Sequence, residues 1–309
     1  MLGVVSLKRF FLFSKNNMSS TSPKSFDYHN FLRNVLRSKA TIADNREYFL
    51  AEHSDLSKMM LNVPYRNYFY GIGLATEGCR RLQVGLDTYD FKAGTLLTIG
   101  PSILRQWLDL STPFASDTLF FSSELFQAPI NPHFLSDMRI FKTGIPHVLQ
   151  LSEEEAQGVS RLFRCLKQYQ NQPRIVAAQT LTLIEMVEYF HNNQHQSNAS
   201  LSRQETLLRD FDALLQKHYL ENKEVAFYAQ KLNLTPNHMS ETIKLLTGKS
   251  AKKRIEEALI FEAKSLLRQT DMSIKEITYW LGFEDDSYFV KFFKQAVEMT
   301  PNAYRLQNP

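Results

Sequence analysis

Hydrophobic and polar positions follow three rhythms along this chain. Between 65 and 126, apolar residues come in short strand-like runs at 68–74, 81–86, 95–99 and 118–121. Gly71, Gly73, Gly78, Gly85, Gly94, Gly100 and Pro101 interrupt or bound these runs. Short runs with glycine and proline punctuation predict an antiparallel sandwich or small barrel, with an earlier strand within 40–51. After Pro146 the period changes. Val159, Leu162, Phe163 and Leu166 recur at helical spacing behind Ser152, a candidate cap. Leu181, Ile184, Val187 and Phe190 do the same in a second helix over about 175–191, joined to the first through Asn171-Gln172-Pro173. This hairpin, 151–191, either packs within its own domain or pairs with its counterpart as a dimerisation element. The stretch 192–204, rich in Asn, Gln, Ser and His, reads as a linker.

From 205 onward a helical rhythm is written twice. Leu232-Asn233-Leu234 aligns with Leu281-Gly282-Phe283, and His238-Met239 through Lys244 aligns with Tyr288-Phe289 through Lys294 at an offset of 50. An apolar-periodic helix, a residue tolerant of the left-handed conformation, a polar cap and a second short helix form the grammar of a helix-turn-helix. In the first copy, helices are predicted over 210–219 and 225–232, with Asn222 as a candidate cap. Asn233 stands where the chain must turn. Thr235 can cap the next helix, and Pro236 at its first position loses no internal hydrogen bond. That helix, 236–246, is expected to bury Met239, Ile243 and Leu246 and to present Asn237, Ser240, Glu241 and Lys244 elsewhere. In the second copy Ser273-Ile274-Lys275-Glu276 has the form of a capping box. Ile274, Ile277 and Leu281 make its buried stripe, Gly282 ends it, and Asp285 can cap the following helix. Phe289, Phe292 and Phe293 should face inward, leaving Asp286, Ser287, Val290, Lys291 and Lys294 for a groove. Between the copies, 251–269 reads as one helix with Ile255, Leu259, Ala263 and Leu266 on a stripe. Its 19 residues span roughly 28 Å, close to the roughly 34 Å between successive major-groove openings on one duplex face.

Charge changes this picture only locally. The 309 residues, 43% hydrophobic, suffice for two domains with ample cores. Lys8, Arg9, Lys15 and Lys24, with no acid among residues 1–25, account for the whole net charge of +4. From Leu201 onward sixteen basic residues meet fifteen acidic ones, so bulk charge does not argue for nucleic acid. What remains is a cluster after the first copy, where Lys249, Lys252, Lys253 and Arg254 are candidates for the phosphate backbone or ordinary solvated surface. Residues 1–25 read as a flexible tail, with Met18 a candidate start. Their basic interruptions and lack of a small-residue cleavage site argue against a secretory signal. No apolar run approaches the roughly 20 residues that cross a bilayer, so no membrane partner is expected. Cys79 and Cys165, far apart and without CxxC spacing, point to a reducing, cytoplasmic setting and no structural zinc. The histidines, among them His53, His133 and His147, form no HxH run, and no GxSxG, HExxH or phosphate-binding glycine motif is present. No catalytic residue, metal or cofactor is assigned.

The residues Ile277-Thr278-Tyr279-Trp280-Leu281-Gly282-Phe283, Tyr288-Phe289-Val290-Lys291-Phe292-Phe293-Lys294 and Thr300-Pro301-Asn302-Ala303-Tyr304-Arg305 resemble the signature of the AraC/XylS family of bacterial transcription regulators. The resemblance covers about 100 residues. It implies a seven-helix DNA-binding domain at 205–309 whose two recognition helices enter consecutive major grooves of promoter DNA. Lys291 stands where the family commonly has arginine, which weighs against bidentate guanine reading. Glu241 also stands at a frequent arginine position; it either accepts from cytosine N4 or faces solvent. Thr278 replaces a usual alanine and Glu298 a usual glycine, while Arg305 matches the signature and could equally brace the last helix. The tract Gly94-Thr95-Leu96-Leu97-Thr98-Ile99-Gly100-Pro101, followed by Trp107, is similar to the family's regulatory half. The implied fold is mixed α and β: an N-terminal cupin-like antiparallel β-barrel, 26–150, with the helical hairpin, then an all-α domain with two helix-turn-helix motifs. Such front domains bind a small-molecule effector, form a homodimer, or do both, and an activator would also meet RNA polymerase. Tyr68, Tyr70, Leu82, Val84, Leu97 and Trp107 either line an effector pocket or fill the barrel. A metal-dependent cupin-like enzyme with a DNA-targeting tail and a protein-interaction module are the alternative readings.

Overall fold

The computed structural model describes residues 47–59, 61–67, 69–110, 113–126, 134–142, 145–197 and 202–307. The expected tail 1–25, Tyr68 and His133 lie outside the described residues. Among the described residues the front domain holds seven strands: β1 (Tyr48–Ser54), β2 (Tyr70–Val84), β3 (Asp87–Lys92), β4 (Thr95–Ile99), β5 (Arg105–Trp107), β6 (Phe114–Phe121) and β7 (Val148–Gln150).

The closed cupin-like barrel expected from the sequence is not formed. The main sheet is open, in the order β1-β6-β2-β4-β7, and among the described residues no ladder joins its edge strands β1 and β7. The reason lies in β2, which serves two layers. Its first half pairs antiparallel with β4 and β6, and its second half, from Cys79, pairs with β3 and β5. The register with β6 slips between Ala75 and Glu77. Next comes Gly78, at φ 68, where a Cβ would lie 1.8 Å from the Pro113 carbonyl oxygen. A bulge with a glycine in the left-handed region bends a strand and strengthens its twist, so the second half leaves the first layer instead of continuing around a barrel.

Helices cover the sheet face turned away from the second layer. Helix α1 (Glu153–Gln168) starts on a complete capping box: Ser152 Oγ accepts from the Glu155 amide and the Glu155 carboxylate accepts from the Ser152 amide. With α2 (Pro173–Ser197) it packs Val159, Phe163, Leu183, Ile184 and Val187 onto Ile72, Leu96, Leu119 and Phe121 of the sheet. Each such side chain contributes about 1.5–3 kcal/mol when fully buried, so the hairpin's apolar stripe is satisfied inside the domain. Helix α2 continues six residues beyond 191, into the stretch read as linker.

The C-terminal region is all-α. Its seven helices among the described residues are α3 (Arg203–His218), α4 (Val225–Lys231), α5 (Pro236–Thr247), α6 (Ala251–Gln269), α7 (Ile274–Trp280), α8 (Asp286–Val297) and α9 (Pro301–Leu306). Helix α3 starts before the predicted 210 because Ser202 and Glu205 form another capping box. Asn222 is not the cap of α4: Glu224 holds that position without a side-chain bond, and the Asn222 carbonyl accepts from Tyr228 Oη at 2.6 Å. One core joins Phe211, Tyr228, Met239, Ile243, Leu259, Ile277, Leu281, Phe289 and Phe293. The front domain touches this unit chiefly along α6. There Glu262, 1% exposed, accepts from Tyr219 Oη at 3.0 Å and pairs with Arg66, while Gln269 Nε2 donates to the Pro64 carbonyl.

Candidate nucleic-acid interface

The two motifs superimpose in their local chemistry as well as their pattern. Helices α4 and α7 have seven residues each, and α5 and α8 have twelve each. Both turns are Schellman motifs, which satisfy the last free carbonyls of a helix. Leu234 N–H donates to the Ala229 carbonyl at 2.9 Å and Phe283 N–H to the Thr278 carbonyl at 3.0 Å. The left-handed position is Asn233, φ 56, in one and Gly282, φ 68, in the other. The second turn carries one extra residue, Glu284, so the offset grows from 49 before it to 50 after it. Thr235 then caps α5 by accepting from the His238 amide, and Asp285 caps α8 by accepting from the Tyr288 amide. The correspondence continues past the helices. Gly248, φ 72, and Glu298, φ 62, end α5 and α8 in the same left-handed conformation.

Burial sorts the side chains of α5 and α8 identically. Met239 and Ile243 are fully buried, as are their counterparts Phe289 and Phe293. On the free face, Asn237, Glu241 and Lys244 are exposed and Ser240 is half-buried. At the same offset, Ser287, Lys291 and Lys294 are exposed and Val290 is half-buried; Asp286, in the first turn of α8, is exposed too. All nine residues read from the sequence as groove candidates therefore lie away from the core. Three expectations of burial are corrected, Ile274 being only half-buried against the core. Leu246 is 38% exposed, and Thr242, in the turn before, is buried. Phe292 is half-buried, its ring 5.2 Å from that of Phe283.

The basic cluster divides. Lys249, Lys252 and Lys253 are exposed around the start of α6. Lys249 meets Glu257 at 2.8 Å and Lys253 meets Glu256 at 4.0 Å. Exposed pairs of this kind are worth only about 0–1 kcal/mol and can be exchanged for phosphate. Arg254 is not a surface contact. It is 5% exposed and grips Asp212 of α3 through Nε and Nη2 at 2.8–3.1 Å, with Asp87 of β3 3.6 Å away. A helix advances about 100° per residue, so the third basic residue of the run Lys252-Lys253-Arg254 turns inward. Burial pushes the Asp212 carboxyl up to about 6 against the pull of Arg254. Arg305 donates to the Met272 carbonyl and thereby ties α9 to the start of the second motif. Thr278, in place of the usual alanine, is buried and donates to the Ile274 carbonyl at 2.9 Å.

One organising contact has no local sequence signal. Lys223, in the loop between α3 and α4, donates to the Gly282 carbonyl and lies 3.9 Å from the centroid of the Phe283 ring. The first motif thus grips the turn of the second directly, in addition to the α6 brace.

The front domain encloses a small cavity of about 40 Å³ between its two layers. Of the six residues read as pocket candidates, Leu97 and Trp107 line it. Leu82 and Val84 belong to the packed core around it. Tyr70 lies in the other core, stacked on Phe121 and edge-on to Phe141. The buried His147 does not line the cavity: its Nδ1 lies 3.0 Å from the Thr98 carbonyl, and burial holds its pKa down to about 4. Among the described residues no three His, Cys, Asp or Glu side chains gather where they could hold a metal ion, and no helix is long and apolar enough to cross a membrane.

Comparison with known proteins agrees with the C-terminal geometry. A family model described as a helix-turn-helix domain matches residues 228–307. The xylose operon regulatory protein of Haemophilus influenzae is 35% identical over 94 residues, covering 29% of this chain and 24% of that protein. The HTH-type transcriptional activator RhaS of Yersinia pseudotuberculosis is 25% identical over 201 residues, covering 62% and 72%. The solved C-terminal domain of AraT, a response regulator from Geobacillus stearothermophilus, is 30% identical, with coverage of 34% and 87% and a TM-score of 0.32. The chain spans between a quarter and two thirds of the length of the first curated relatives it matches. It is related to helix-turn-helix bacterial transcriptional regulators, and residues 228–307 match a helix-turn-helix domain.

Proposed function

We propose that this chain is a sequence-specific transcription regulator of the AraC/XylS type that reads promoter DNA with α5 and α8 in two successive major grooves. The observation that carries the reading is the duplicated presentation: two twelve-residue helices with the same capping geometry, the same buried positions and the same free positions, joined by one 19-residue helix. A rigid span of roughly 28 Å suits adjacent grooves on one duplex face. Asn237, Ser240, Glu241 and Lys244 read bases or sugar–phosphate in one groove. Asp286, Ser287, Val290, Lys291 and Lys294 do so in the other, while Lys249, Lys252 and Lys253 meet the backbone. The front domain controls occupancy through its docking on α6, in answer to a small-molecule effector or a second copy of the chain. RNA polymerase is a further partner if the regulator activates.

The test is selection of genomic fragments by the full chain, followed by footprinting. Defined sites with two protected stretches about one helical turn apart are expected. Changing Asn237 and Lys291 together to alanine should weaken specific binding by about 1–3 kcal/mol per lost contact. Equal affinity for every duplex, or unchanged footprints in the double variant, would refute the reading.

A further inference from the structure

Among the described residues, the inner core of the front domain holds a guanidinium without an acid. Arg105 of β5 is 3% exposed. Its partners are neutral: Nη1 donates to Asn67 Oδ1 at 3.2 Å, and the guanidinium carbon lies 4.4 Å from the centroid of the Tyr65 ring. The two other described arginines buried to this degree each hold a carboxylate, Arg80 that of Asp55 and Arg254 that of Asp212. A buried cation is costly unless an anion pairs with it. Asn67 sharpens the imbalance: fully buried, it commits its oxygen to Arg105 and keeps Nδ2 buried with no acceptor.

Arg105 lines the cavity of about 40 Å³. At roughly 10–15 Å³ per water-sized centre, that is room for about three such groups. Ser57, Ser116 and Thr118 bring hydroxyls to the wall, and Leu97, Phe114 and Trp107 make much of the rest apolar. We infer that this cavity is the receptor site for a short organic monocarboxylate, its carboxylate paired with Arg105 and its apolar end against Leu97, Phe114 and Trp107. The apolar wall favours an anion that carries a short apolar tail over a fully hydrated inorganic one. The inference deepens, and for its regulatory consequence rests on, the reading of the front domain as the controlling element.

The experiment titrates the full chain with acetate, propionate and butyrate, and with acetamide, propionamide and chloride at equal ionic strength. Melting temperature is followed together with Trp107 fluorescence in a Trp280→Phe background. Saturable binding of the acids alone is expected, weakened roughly 30-fold or more by Arg105→Gln. Because that substitution removes a core side chain, a second measurement uses the unaltered chain: a magnetisation transfer from the methyl group of carbon-13 propionate to the Trp107 indole protons. No saturable binding of any acid, equal binding of the amides, undiminished binding by a folded Arg105→Gln chain, or no transfer to Trp107 overturns the inference. Selection of DNA sites, measured on the same sample, separates the two proposals. Retained selection without acid binding sinks only this one, and acid binding without selection sinks only the regulator reading.

Discussion

Acidification should loosen the front domain through one residue, His147. Its ring is 2% exposed, its Nδ1 donates to the Thr98 carbonyl at 3.0 Å, and it stands edge-on to Tyr89 with ring centroids 6.4 Å apart. Burial lowers its pKa from 6.5 to about 4, and the positive charge of Arg105 adds to the effect against the opposing bond to Thr98. A group whose folded pKa is depressed supplies stability that is present above the unfolded pKa and lost as pH falls through the folded one. The window is therefore pH 6.5 down to about 4, because the unfolded chain takes up a proton there that the folded chain refuses. At about 1.4 kcal/mol per pH unit the full loss is about 3 kcal/mol, of which about 2 kcal/mol is lost between pH 7 and pH 5. Urea titrations at those two pH values, read by Trp107 fluorescence in a Trp280→Phe background, should show the midpoint falling by about 1 M at a typical slope. His147→Gln has no titrating ring, so its pH dependence over this interval should be smaller by about 2 kcal/mol. Equal pH dependence of the two chains would show that His147 is not held neutral by burial.

Two further outcomes follow from single geometries. Glu298 occupies the left-handed region at φ 62 while its counterpart Gly248 carries a glycine, so Glu298→Gly should stabilise the helical domain by about 0.5–1 kcal/mol. The reciprocal Gly248→Ala, whose Cβ would meet nothing within 4 Å, should cost about 1 kcal/mol through backbone strain alone; melting curves in which either sign reverses would refute the assignment. Glu262→Gln leaves Arg66 without its carboxylate, and hydrogen exchange should then rise at residues 61–67 and in the middle of α6 while β6 and α8 stay unchanged. Unchanged exchange at 61–67 would mean that the ion pair does not hold the front domain to the brace.

Within the helical domain the sequence by itself determined nearly everything that is local. Caps, left-handed turns and apolar stripes are decided by residues three or four apart, so Asn233, Thr235, Ser273, Gly282 and Asp285 set the turns through contacts within the turns themselves. The brace helix begins and ends at the predicted residues for the same reason, and the free faces of α5 and α8 follow from helical periodicity. The tertiary structure decided what depends on distant partners. Arg254 looked like one more surface cation until Asp212, 42 residues away, drew it inward. Lys223 had no visible role until Gly282, 59 residues away, came beside it. The strand pattern of the front domain was legible only in part: 68–74 and 81–86 are two halves of the single strand β2, and β3, β5 and β7 were not read, while whether a sheet closes is a property of pairing and bend. The slip in β2 beside Gly78 sends its second half into another layer and leaves the main sheet open. Alternation shows that a strand has a buried face; only the packed chain shows what covers it.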